Sequence, residues 1–133
     1  MNILFLCSSN IYRSQMAEAF FNKYSRKSKA ESAALIHPQN HMHRLVIKAM
    51  KEKGVDITKN ISKKVTREMI NKTKLIILME SKLRSYLSTD KKIEVWDIPE
   101  IIAKETDEHL YSEFVKARDI IEDKVKELLE KIE

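Results

Sequence analysis

The apolar positions of this chain fall into two kinds of pattern. Continuous runs at residues 2–6 (NILFL), 74–79 (KLIILM) and 92–96 (KIEVW) have the length and composition of buried strands. AESAAL (30–35) predicts a further strand with a weaker signal. Elsewhere the apolar residues step by three and four. From Ser14 to about Lys27, the residues Met16, Ala19, Phe20 and Tyr24 mark one face of a helix. HMHRLVIKAMKEKG (41–54) puts Leu45, Ala49 and Met50 on one side, with Gly54 positioned to end the helix. From about Asp107, the residues Phe114, Ala117, Ile121, Val125, Leu128 and Ile132 predict a long amphipathic helix. Strands alternating with helices predict one α/β domain over residues 1–133, a four-stranded parallel sheet flanked by helices.

Composition narrows the partners. The formal charge of +5 suits anions, but no aromatic residues interleave with a basic stripe, so nucleic acid is not expected. Lys59, Lys63, Lys64, Arg67, Lys72 and Lys74 read as a solvated face. No apolar run reaches membrane-spanning length and the first residues lack a signal-peptide layout. A cytoplasmic protein with no membrane partner is the expectation. The single cysteine excludes an internal disulfide and an all-thiolate metal site. His37, His41 and His43 lack a matching cysteine or carboxylate in a familiar spacing, so neither metal nor cofactor is expected. They read as the start of a helix at the fringe of a pocket.

That cysteine, Cys7, lies where the first strand passes into the first helix, and Arg13 follows six residues later. In a parallel α/β sheet, ligands bind beyond the carboxyl ends of the strands. The loop also runs into a helix N-terminus, where unpaired N–H groups and the helix dipole attract anions. Such a field favours the thiolate of Cys7, the nucleophilic form. Arg13 offers a planar fork of donors that matches two phosphate oxygens. Together they suit attack on a phosphate ester through a phosphocysteine.

The string CSSNIYRS, with MAEAF behind it, resembles the low-molecular-weight protein tyrosine phosphatases and the related thioredoxin-coupled arsenate reductases. ESAAL resembles the family's second strand, KAMKEKGVDITKNISKKVT its middle helix and following loop, and LIILMESKLRSYL its third strand and next helix. The resemblance implies Cys7 as nucleophile and Arg13 as the grip on the phosphoryl group. Ser14 hydrogen-bonds the thiolate. The resemblance also implies that the loop residues Ser8, Ser9, Asn10, Ile11, Tyr12 and Ser14 bind substrate. Asn10 is implied to hold a left-handed conformation, braced by Ser32. The substrate implied is a phosphorylated protein or small aryl phosphate, with phosphotyrosine foremost and inorganic phosphate as product.

The chain departs from the family pattern at several positions. Ser9 stands for the usual loop glycine, Tyr12 for a second cysteine found in many members, and Asn60 for a bracing histidine. The family's proton donor is an Asp followed by Pro, in a string such as W-D-I-P-D-P. Here the string is WDIPEI, so Glu100 takes the acid's register and Ile101 the proline's. Asp97 has the right chemistry three positions earlier, and either carboxylate is a candidate. No aromatic wall follows the acid, where Ile98, Pro99, Ile101 and Ile102 stand. The alternatives are an arsenate reductase using an external thiol and a catalytically weak phosphate-binding module. Against the first, no second or third cysteine is present to relay an intermediate.

Overall fold

A computed structural model describes residues 1–39, 41–101 and 106–133. Four strands, β1 (Asn2–Cys7), β2 (Lys29–Ala34), β3 (Leu75–Leu78) and β4 (Lys92–Val95), form a parallel sheet in the order β2-β1-β3-β4. The helices are α1 (Arg13–Tyr24), α2 (Arg44–Lys51), α3 (Arg67–Lys72) and α4 (Asp107–Ile132), and a 3₁₀ helix spans Ser81–Tyr86. No helix among the described residues is long and apolar enough to cross a membrane.

The two-residue period of a strand divides β1 between two cores. Ile3, Phe5 and Cys7 face α1, α2 and α4, whose Met16, Phe20, Val46, Phe114, Ile121 and Val125 close over them. Leu4 and Leu6 face the other way, with Ile76 and Leu78 of β3, and meet Met69 of α3 and Leu83 of the 3₁₀ helix. Register keeps the faces aligned, with Phe5 beside Ile77 and Leu6 beside Leu78. β1 and β3 therefore carry the continuous apolar runs.

Four differences from the expected elements have local causes. β4 is half-exposed, because it lies at the edge of the sheet. α1 stops at Tyr24 and not near Lys27, since the N–H groups of Arg26, Lys27 and Ser28 turn to the carboxylate of Glu133, which follows α4. α2 starts later, after His43, whose Nδ1 accepts the Leu45 N–H at 3.1 Å. It closes at Gly54 (φ 74°) through bonds from Gly54 N to Lys51 O and from Val55 N to Met50 O. α3 spans six residues capped by Thr66 and buries only Met69, too short to leave a periodic signal.

Candidate active site

β1 delivers Cys7 to the carboxyl edge of the sheet, and the loop 8–12 leads into α1. Neighbouring segments draw the loop's carbonyls away from its centre. Leu35 N bonds Cys7 O, while Ile36 N and His37 N both bond Ser8 O. The Ser62 hydroxyl donates to Ser9 O at 2.7 Å. With its carbonyls spent outward, the loop can turn its N–H groups inward.

Asn10 has φ 58°, and among the described residues it is the one non-glycine residue with positive φ. Ser9 therefore meets no left-handed strain in the place of the family glycine. Asn10 Nδ2 donates to Ser14 Oγ at 2.8 Å and Ser32 Oγ at 2.9 Å. Its Oδ1 accepts from Lys63 N and Gln15 Nε2, each at 3.1 Å. Asn60, in the position of the family's histidine, braces Gln15 Oε1 at 3.0 Å and so supports Asn10 at one remove.

The sulfur of Cys7 lies 2.8 Å from Ser14 Oγ and accepts the Asn10 N–H at 3.2 Å. Because Asn10 already donates to Ser14 Oγ, the serine's own proton is left for the sulfur. Cys7 is only 3% exposed. It nonetheless lines a cleft of about 260 Å³ shared with Ser8, Ser9, Asn10, Ile11, Tyr12, Arg13 and Glu100. The thiol is reached through that cleft and not from the open surface.

Arg13 is buried. Its Nη1 donates to Ile98 O at 3.0 Å and its Nη2 to Glu80 Oε1 at 2.7 Å. Nε, also buried, has no hydrogen-bond partner among the described residues. Burial works against the charged guanidinium, but Tyr12, Glu80 and Cys7 outweigh it and hold Arg13 above its ordinary value. An unpaired buried donor is costly unless an acceptor meets it.

The two candidate acids part company. Glu100 lines the cleft at Cys7, half-exposed, with Lys82 Nζ 3.5 Å from its Oε2. Asp97 turns to the N-terminus of the 3₁₀ helix, where its Oδ1 accepts the Ser81 N–H at 3.0 Å, and it is not among the residues lining that cleft. The rest of the wall comes from His43, Leu110 and Phe114, with Ile101 and Gln39. Aromatic surface is thus supplied by Phe114 of α4, with the Tyr12 and His43 rings. Of the four residues noted there, Ile98 is buried, its carbonyl on Arg13, and Ile102 lies outside the described residues. His43 does cap a helix and fringe the pocket, and burial, with Arg44 beside it, lowers its pKa. Among the described residues no group of three or more His, Cys, Asp or Glu is gathered for a metal ion.

Glu80, Gln15, Leu110, Phe114 and the Tyr12 hydroxyl were not legible as site groups from the chain alone. Glu80, Leu110 and Phe114 reach the site through tertiary packing, Gln15 is engaged by Asn10 and Asn60, and the Tyr12 hydroxyl turns to the segment around Glu100. Only the likeness of residues 75–87 to a family segment pointed near Glu80.

The molecule is thus an α/β domain with a parallel sheet, a cysteine-to-arginine loop at its carboxyl edge and Glu100 lining the same cleft. Residues 2–133 match the family model for low molecular weight phosphotyrosine protein phosphatase, and the chain belongs to that family. It is 31% identical over 132 residues to a protein of Brevibacillus brevis named arsenate reductase, covering 96% of this chain and 93% of the relative. Among solved structures it is similar to an arsenate reductase from Archaeoglobus fulgidus, with 28% identity, a TM-score of 0.78, and 96% of this chain and 98% of that one covered. Wzb of Vibrio vulnificus, solved with benzylphosphonate, shares the fold at a TM-score of 0.85 and 22% identity, covering 98% and 97% of the two chains.

Proposed function

We propose that the protein hydrolyses aryl phosphate monoesters, with phosphotyrosine in proteins as the substrate class, through a phosphocysteine on Cys7. The observation that carries this reading is one cleft lined together by a thiol, a guanidinium and a carboxylate. Arg13 Nε and the loop N–H groups hold the phosphoryl oxygens. The Cys7 thiolate attacks phosphorus, the P–S bond forms, the P–O bond to the aryl group breaks, and Glu100 gives its proton to the departing oxygen. Water then attacks the phosphocysteine while the Glu100 carboxylate accepts its proton. The thiolate leaves as inorganic phosphate forms, and the Ser14 hydroxyl steadies the charge on sulfur.

A leaving-group comparison tests the assignment. Nitrophenolate departs with little proton assistance, whereas phenolate needs a donor in the transition state. Glu100→Gln should lower phenyl phosphate turnover by about 10²–10⁴-fold and nitrophenyl phosphate far less. Asp97→Asn should touch both substrates modestly and alike. Selective loss in the Asp97 variant would reverse the two roles.

The relatives named arsenate reductase favour a second reading. With one cysteine, no internal disulfide can form. An external thiolate would have to attack the arsenic-bound sulfur, forming a mixed disulfide as arsenite leaves with the electron pair, and a second thiol would then free Cys7. Incubation with arsenate and glutathione separates the readings. The expectation is competitive inhibition of aryl phosphate hydrolysis without thiol oxidation. Arsenate-dependent thiol oxidation that Cys7→Ser abolishes would put reduction first.

A further inference from the structure

Tyr12 stands directly before Arg13 in the phosphate loop, yet its hydroxyl is turned to a different segment. It donates to Pro99 O at 3.0 Å and accepts the Ile101 N–H at 2.9 Å. The two bonds bracket Glu100, one on the residue before it and one on the residue after. The ring is held as well, edge-on to Phe114 of α4 at 5.3 Å and 5.4 Å from the Arg13 guanidinium carbon.

We propose that Tyr12 is a positioning residue whose hydroxyl clamps the Glu100 segment to the phosphate loop and so sets the reach of the proton donor to the leaving oxygen. This rests on the reading of Glu100 as that donor. Glutamate is long and its rotamers are many, so its carboxyl is placed well only if its backbone is. The side chain's own anchor is weak, since Lys82 and Glu100 meet at 3.5 Å with both well exposed. The flanking peptides are fixed instead. Ile98 is tied by Arg13 Nη1 to its carbonyl and by its own N–H to Met79 O, and Tyr12 secures Pro99 and Ile101. A proline at 101 would have no N–H to offer the clamp. Burial, partly opposed by Arg13, pushes the Tyr12 pKa up to about 12, so the hydroxyl stays protonated and able to donate across the range of an ordinary assay.

Tyr12→Phe removes the hydroxyl and keeps the ring. It should lower turnover of phenyl phosphate by about tenfold more than turnover of nitrophenyl phosphate, the scale of one lost hydrogen bond. In Glu100→Gln protein the same change should alter the ratio of the two substrates by less than about twofold, because the donor it positions is gone. Equal losses on both substrates, or a selective loss undiminished in the Glu100→Gln background, would overturn the proposal. Amide hydrogen exchange reads the clamp without turnover. Exchange at Ile101 should accelerate in Tyr12→Phe, and an unchanged rate would overturn the clamp itself. If Glu100→Gln shows no leaving-group selectivity, the donor assignment falls and the positioning role with it. Faster Ile101 exchange would then separate that failure from a failure of the clamp.

Discussion

Asn10 spends both N–H groups and both oxygen lone pairs of its amide on Ser14, Ser32, Lys63 and Gln15 while fully buried. Asn10→Ala should cost at least about 2 kcal/mol in denaturant unfolding, from orphaned buried partners and an alanine at positive φ. Cys7→Ser should abolish hydrolysis yet still bind vanadate, since the loop backbone and Arg13 survive; substantial residual turnover would exclude the phosphocysteine. Arg13→Lys should also fail, because an ammonium cannot bond Ile98 O and Glu80 and still present a fork to phosphate. Peroxide should inactivate the protein at Cys7, with recovery only by added thiol, since no other cysteine can form a protective disulfide. Mass spectrometry that finds Cys7 unmodified after inactivation would contradict this. The contacts among Cys7, Asn10 and Ser14 follow from a short string whose chemistry is local, and Ser32 was reached only through the family resemblance. Glu80, Phe114 and the second face of Tyr12 do not, because each is defined by what a distant segment brings to it.

At the scale of elements, the strands were legible because β1 and β3 are apolar on both faces, and the long helices because each buries one stripe. The end of α1 was not, for its competitor lies more than a hundred residues away. The Glu133 carboxylate accepts the Ser25 hydroxyl and the N–H groups of Arg26, Lys27 and Ser28. The Ser25 hydroxyl first, and then those N–H groups, lower its pKa to about 2. A folded value below the ordinary glutamate range means stabilisation that is complete above that range and is lost as pH falls toward about 2. Denaturant midpoints should therefore show Glu133→Gln below the parent at neutral pH, with the gap closing in acid; a gap independent of pH would contradict it. At the other end of α4, Thr106 Oγ1 accepts the His109 N–H at 3.1 Å. Thr106→Ala should cost about 1 kcal/mol in thermal or denaturant unfolding.

Across the whole molecule, the central strand is buried by two separate cores, and the loop from Cys7 to Arg13 hangs from its end. The loop is finished only when β2 supplies Ser32, the segment before α3 supplies Ser62 and Lys63, and the chain after β3 supplies Glu80. The pairing of β1 with β2 sets Phe5 beside Ser32 and Cys7 beside Ala34. A slip of two residues would keep the apolar faces in phase, since side chains alternate, but would carry Ser32 about 7 Å along the strand and out of reach of Asn10. Apolar matching alone thus tolerates a misalignment that the asparagine does not. During refolding, compact chains with strands out of step can gain helical circular dichroism and a buried Trp96, read as a blue shift of its emission, before any of them turns over aryl phosphate. The proposed hydrolysis of aryl phosphate would return last, and its lag behind the optical signals would time the search for the correct alignment.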